Sequence, residues 1–144
     1  MDIKIREFLI SDYQVIIELW KEAKLPYKPK GRDSLENIKK ELLKGCCVFL
    51  VAVDKNKIIG SVLGTNDGRK GWINRLVVKP EYKKREIAKR LINEVEKKFN
   101  DLGIGIIACL IEDENPLSLK VFSKLGYSEF KGMHYLTKRK QAEI

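Results

Sequence analysis

The sequence predicts an α/β fold: a mixed, mostly antiparallel sheet with helices on both faces. Three observations predict it. Short apolar segments at 2–8, 47–54, 57–66 and 72–78 read as strands, and segments with apolar residues every three to four positions, at 15–23, 34–44, 88–102 and 116–125, read as helices. Tight turns around Asn56 and over NDGRKG, 66–71, join three strands as antiparallel neighbours. The stretch from 72 to 111 then runs strand, long helix, strand, which is a β-α-β crossover. A chain of 144 residues with 44% hydrophobic composition suits one domain, 1–144, built on one sizeable core.

Each element has its own grounds. In DIKIREF, 2–8, Ile3 and Ile5 alternate with charged neighbours, as in a half-buried strand. Ser11 is a helix N-cap candidate with Asp12 in the first turn, and Val15, Ile16, Leu19 and Ala23 form the stripe that follows. LPYKPKGRD, 25–33, holds two prolines and a glycine and is a loop. Ser34 opens a second helix carrying Leu35, Ile38 and Leu42, and Gly45 stops it. CVFLVAVD and KIIGSVLGTN form a hairpin, and WINRLVV is a third strand ended by Pro80. Ala88, Leu91, Ile92, Val95, Phe99 and Leu102 then sustain an apolar helical face, which Gly103 caps. IGIIACLI, 104–111, is apolar on both faces, as in a central strand covered on both sides. A short helix near 116–125 ends at Gly126, and strand-like segments near 127–131 and 133–138 close the chain. The expected order is strand, helix, helix, three strands, helix, strand, helix, two strands.

The net charge of +9, from 29 Lys and Arg against 20 Asp and Glu, suggests an anionic partner: nucleic acid, a membrane surface or a phosphorylated ligand. No apolar run approaches the roughly 20 residues that span a bilayer, and MDIKIREF has no apolar signal core, so a cytoplasmic protein without membrane attachment is expected. Cys46, Cys47 and Cys109 are odd in number and form no C-x-x-C, which fits free thiols in a reducing compartment. His134 is the only histidine, so no metal is expected. The sequence has no G-x-S-x-G and no P-loop.

The basic cluster Lys83, Lys84, Arg85, Lys89 and Arg90 carries the functional argument. It surrounds the start of the long helix, where cations oppose the helix dipole. The first turn of a helix also leaves backbone N–H groups without intrahelical partners. Dipole, free N–H groups and lysines together make a site for a phosphate or pyrophosphate, and such a ligand resolves the charge mismatch.

The same residues carry a resemblance. Lys83, Lys84, Arg85, Glu86, Ile87 and Ala88, after V-K-P-E-Y and before an amphipathic helix, resemble the coenzyme A signature Arg/Gln-x-x-Gly-x-Gly/Ala of the GNAT superfamily of N-acetyltransferases. Asn115, Pro116, Leu117 and Ser118, then VFSKLGY at 121–127, are similar to that family's Asn-x-x-Ala-x-x-hydrophobic-Tyr-x-x-x-Gly-Phe/Tyr. The element order agrees over almost the whole chain. The resemblance implies a GNAT-like fold and transfer of the acetyl group of acetyl-CoA to a primary amine, by direct attack in a ternary complex. It implies that backbone groups of Leu76, Val77 and Val78 pair with the pantetheine arm, beside a bulge that opens a slot for the thioester. It implies that the N–H groups at Lys84–Lys89 hold the pyrophosphate with Lys83 beside them, that Asn115 bonds the pantetheine or the end of the slot, and that Phe122 also contacts the cofactor.

Three positions depart from the family pattern. Glu86 replaces a glycine, and an i,i+4 pair with Arg90 is expected to turn it from the phosphates. Phe122 replaces the tyrosine proposed to protonate the departing thiolate, which leaves Tyr127, or Tyr135, as substitutes. Leu110 replaces a glutamate base, which leaves Glu112 and Asp113, with Glu114 beside them, to act through water. The candidate catalytic residues are therefore Glu112, Asp113 and Tyr127. Tyr27, Lys28 and Arg32 are candidates for the acceptor side. The same departures support an alternative, an acyl-CoA-binding protein with little or no transferase activity. Nucleic acid is not the expected partner, because no aromatics interleave with the basic cluster. Composition leaves monomer and homodimer both open.

Overall fold

The computed structural model describes residues 2–142, without the side chains of Lys84 and Arg85. Five strands form one open sheet in the order β1-β2-β3-β4-β5: Ile3–Glu7, Cys47–Asp54, Lys57–Asn66, Lys70–Val78 and Ile106–Ala108. The first four pair antiparallel, and β5 runs parallel to β4, which is the expected mixed sheet. Four helices flank it: α1 Tyr13–Glu22, α2 Leu35–Lys44, α3 Ile87–Asp101 and α4 Pro116–Lys124.

Strand alternation divides the core into two layers. On β2, Val48, Leu50 and Ala52 join the layer beneath α3, whereas Phe49 and Val51 join the layer beneath α1 and α2. Leu91, Ile92, Val95 and Phe99 give α3 a fully buried stripe. Gly64 and Gly71 make room for it: a Cβ at these positions would lie 2.9 Å and 2.7 Å from the Phe99 ring. In the opposite layer Phe49 stacks between Phe8, at 4.1 Å, and Trp20, at 6.1 Å between centroids.

Local chemistry explains most boundaries. The Ser34 hydroxyl accepts the Asn37 N–H at 3.2 Å to start α2, and Gly45 ends it in the left-handed conformation. Lys55 and Asn56, both at positive φ, form the β2–β3 turn. At the first helix the expectation needs correction. A 3₁₀ turn, Ile10–Asp12, precedes α1, and the Asp12 carboxylate accepts the Leu9 N–H at 2.8 Å while pairing with Arg6. Asp12, not Ser11, therefore closes this end. The α1 stripe is also rotated, with Ile16, Ile17, Leu19 and Trp20 buried and Val15 half exposed.

The C-terminal third differs most. β5 spans three residues and lies at the sheet edge, so 104–111 is not a central strand, and Ile106 and Leu110 are exposed. Residues 127–131 and 133–138 form no strand among the described residues. A strand needs a partner edge to satisfy its backbone, and these segments make no ladder with β5. Among the described residues no helix is long and apolar enough to cross a membrane.

Candidate acyl-donor site

The site is a gap in the sheet. The ladder between β4 and β5 covers only Lys70–Trp72 against Ile106–Ala108. Beyond Trp72, β4 continues to Val78 while β5 has ended, so the backbone of Leu76, Val77 and Val78 has no β5 rung. On its other side β4 stays paired to β3, with Ser61 opposite Val77 and Leu63 opposite Asn74. That register shift inserts one extra residue into β4, a bulge at Arg75–Leu76. An open strand edge beside a bulge is suited to an extended, amide-bearing chain.

At the far end of β4, Pro80–Arg85 form a 3₁₀ turn and Glu86 reverses the chain in the left-handed conformation, φ 57° and ψ 22°. α3 begins at Ile87, and the Arg90 N–H donates to the Glu86 carbonyl at 3.0 Å. The N–H groups of Ile87, Ala88 and Lys89 precede that bond at the positive end of a helix running to Asp101. Lys83 is exposed beside them. Lys84 and Arg85 flank the same turn by sequence, and their side chains lie outside the described set. A cavity of about 240 Å³ adjoins this end, bounded by Val77, Val78, Lys79 and Lys83 on one side and by Leu19 and Glu22 of α1, with Ala23 at its C-cap, on the other.

Glu86 does not pair with Arg90 as expected. Its carboxylate lies 4.0 Å from Lys89 Nζ, and Arg90 instead donates to the Ile3 carbonyl at 2.8 Å. Arg90 fastens α3 to β1, one strand layer away, which sequence spacing along the helix does not reveal.

The residues around α4 are less uniform. Asn115 is the N-cap of α4, its side-chain carbonyl accepting the Ser118 N–H at 3.2 Å. Phe122 is buried in the α3 layer, in edge-to-face contact with Tyr127 at 5.0 Å. The Tyr127 hydroxyl donates to Glu96 Oε2 of α3 at 2.6 Å. Burial, reinforced by the Glu96 carboxylate, holds this phenol far above the usual tyrosine range. Glu112 and Asp113 lie exposed in the loop before α4, and Tyr135 is exposed on the C-terminal segment. Burial also pushes the Cys47 thiol up to about 12, and the Cys109 thiol up as well, so neither is a thiolate near neutral pH. No group of three or more metal-ligating residues occurs among the described residues.

Sequence reasoning missed a second constellation on the α1–α2 side of the bulge. Arg75 takes the left-handed conformation, φ 52°, and donates from Nη2 to Asp33 Oδ2 at 2.8 Å. Asp33 is buried at 3% exposure and also accepts the Lys28 N–H at 2.7 Å. The guanidinium lies 5.7 Å from the Trp20 ring centroid, and Trp20 Nε1–H donates to the buried Ser61 hydroxyl. Tyr13 donates to the Asp33 carbonyl at 2.9 Å. This network ties the 25–33 loop, with Tyr27, Lys28 and Arg32, to the bulge of β4. Its one sequence signal is a charged residue in the mostly apolar strand WINRLVV.

The family model described as Acetyltransferase (GNAT) family matches residues 13–127. The fold is similar to that of a predicted acetyltransferase from Clostridium acetobutylicum determined with acetyl-CoA, at 16% identity and TM-score 0.78, covering 94% of this chain and 96% of that one. It is similar to PaiA N-acetyltransferase from Thermoplasma acidophilum in complex with coenzyme A, at 25% identity and TM-score 0.76, covering 89% and 91%. AAC(6')-Iy in complex with the bisubstrate analogue CoA-S-monomethyl-acetylneamine matches at 20% identity and TM-score 0.80, covering 96% and 99%.

Proposed function

The chain belongs to the GNAT family of acetyltransferases, and from that premise we propose that it transfers the acetyl group of acetyl-CoA to a primary amine. One observation carries the reading: the open edge of β4 leads from the bulge to the start of α3, so that one extended ligand spans both. The pantetheine amides pair with Leu76, Val77 and Val78, and the diphosphate sits on the N–H groups of Ile87, Ala88 and Lys89, neutralised by Lys83 and its basic neighbours. The neighbours determined with acetyl-CoA and coenzyme A support this ligand.

The acetyl thioester then lies at the bulge, and the amine approaches from the side of Tyr27, Lys28 and Arg32. Its lone pair attacks the acetyl carbonyl, the C–S bond breaks, and the electron pair leaves on sulfur. The departing thiol has a pKa of about 8.5 by analogy with cysteine, so the thiolate leaves without strong acid assistance. Tyr127 is a poor acid here, because its proton is committed to Glu96. Glu112 and Asp113 accept the ammonium proton through water. Positioning two reactants supplies roughly 7–11 kcal/mol of such a barrier.

The engaged Tyr127 and the buried Phe122 favour one second reading, acyl-CoA binding with little or no turnover. A thiol-release assay across a broad panel of amines, run beside calorimetric titration of acetyl-CoA, separates the two. Binding with amine-dependent thiol release supports transfer, and binding with no release on any amine supports the second. Absence of binding removes both.

A further inference from the structure

We infer that Asp33 is a positioning residue for the acceptor amine: through Arg75 it fixes the 25–33 loop against the bulge where the acetyl thioester lies. The inference rests on the transfer reading above and deepens it. The loop is first closed on itself. The Lys28 carbonyl accepts the Gly31 and Asp33 N–H groups, both at 3.0 Å, and the Asp33 carboxylate in turn accepts the Lys28 N–H at 2.7 Å. The Gly31 carbonyl takes the Ser34 N–H at 3.1 Å and the Asn37 side-chain amide at 2.6 Å. A loop so closed is carried as one body, and Lys28 and Arg32 are carried with it.

Asp33 is also where that body meets the donor strand. The carboxylate oxygen that takes the Lys28 N–H, Oδ2, takes Arg75 Nη2 as well, so one atom joins the loop backbone to the residue at the bulge. The joint is made of unfavourable parts. Arg75 stands at positive φ, which disfavours any residue with a Cβ. Its side chain and that of Asp33 are nearly buried, at 12% and 4% exposure, and its Nε has no hydrogen-bond partner among the described residues. A well-packed apolar pair would hold a loop on a sheet at least as firmly. What the ion pair adds is direction, because a charged hydrogen bond fixes an angle and hydrophobic contact does not. Local strain of this kind gathers where geometry serves function. A misplacement of about 1 Å between reacting groups costs on the order of a hundredfold in rate, so a loop that lines the amine's approach needs a directional joint.

Steady-state kinetics with the panel amine that gives the fastest thiol release, beside calorimetric titration of acetyl-CoA, test the inference. Asp33→Asn removes the charge but keeps an acceptor for the Lys28 N–H, so the loop stays closed. It raises KM for the amine and lowers kcat/KM on the order of tenfold or more, while acetyl-CoA still binds one per chain with its affinity changed less than about threefold. Arg75→Lys keeps a cation opposite Asp33 without the planar fork and shows the same split at smaller size. Where Asp33→Asn does not fold, Arg75→Lys decides. A role in stability alone lowers the fraction of chains that bind acetyl-CoA and leaves the amine's KM as it was. That result in either folded variant overturns the inference and leaves the transfer reading standing. Equal losses of amine and acetyl-CoA affinity overturn it too, because the pair then serves the donor strand. A wild type that releases no thiol on any amine removes the transfer reading and the inference with it.

Discussion

Arg75 and Glu86 hold the same left-handed backbone, at the two ends of the proposed acyl-donor site, and are held there by opposite means. Arg75 is enclosed: Asp33 pairs with it, Trp20 lies across it, and its Nε is buried without a hydrogen-bond partner among the described residues. Glu86 is exposed, and among the described residues its carboxylate has a single, long contact, with Lys89. The bulge in β4 is thus over-determined by tertiary contacts, whereas the turn before α3 depends on a local conformation that a glycine adopts more readily. The family pattern places glycine at the second position, and the structure supplies the reason: the chain must turn with positive φ before α3 can begin.

The largest effect should follow from breaking the enclosed end. Asp33→Ala leaves the Arg75 charge buried and uncompensated, and the Lys28 N–H loses its acceptor. Removing one member of such a pair costs about 3–5 kcal/mol, seen in chemical denaturation as a lower midpoint. Thermal unfolding should fall on the order of 10 °C. A loss no greater than that of an exposed surface substitution would mean that the bulge holds without the network. Next comes the phosphate end: K83A/K84A/R85A should weaken acetyl-CoA binding by roughly tenfold or more, about 1.4 kcal/mol per factor of ten, in calorimetric titration. The effect should shrink in high salt.

Glu86→Gly sharpens the comparison most finely. Relief of the left-handed strain stabilises the fold by about 1 kcal/mol, less the greater freedom of glycine in the unfolded chain. Acetyl-CoA affinity should rise with the loss of a carboxylate beside the phosphates. Arg75→Gly relieves the same backbone angle, yet should destabilise, because the ion pair and the Trp20 contact go with the side chain. Like signs for the two substitutions would break the contrast.

The smallest effect concerns pH. The Arg6 hydrogen bond, with help from the Leu9 N–H, holds the Asp12 carboxyl below its ordinary value. That stabilisation is complete above the unfolded carboxyl pKa of about 4 and is lost as the pH falls through the lower folded value. Acid denaturation of Asp12→Asn should therefore show a shallower decline below about pH 4 than wild type.

Elements fixed by local chemistry were legible. The α2 helix announced itself by Ser34 and Gly45, the β2–β3 hairpin by its apolar strands around Asn56, and α3 by a sustained apolar face. Pro80 and the basic cluster located the helix start. What the sequence withheld depends on distant partners. Leu102 continues the α3 period but is exposed, because the helix has ended at Asp101. The apolar run 104–111 has the composition of a buried strand, but its pairing is set by neighbouring edges, and only Ile106–Ala108 finds one. Asp33 and Arg75 meet only after the 25–33 loop folds across β4, and no spacing along the chain announces that contact.

The most direct test follows the backbone amides themselves. In ¹H–¹⁵N correlation spectra of the labelled protein, the account predicts that acetyl-CoA shifts the Ile87, Ala88 and Lys89 resonances strongly. Acetyl-pantetheine, which lacks the diphosphate, should move Leu76–Val78 but leave those three amides in place. Acetyl-CoA binding that leaves Ile87–Lys89 unmoved would contradict the account.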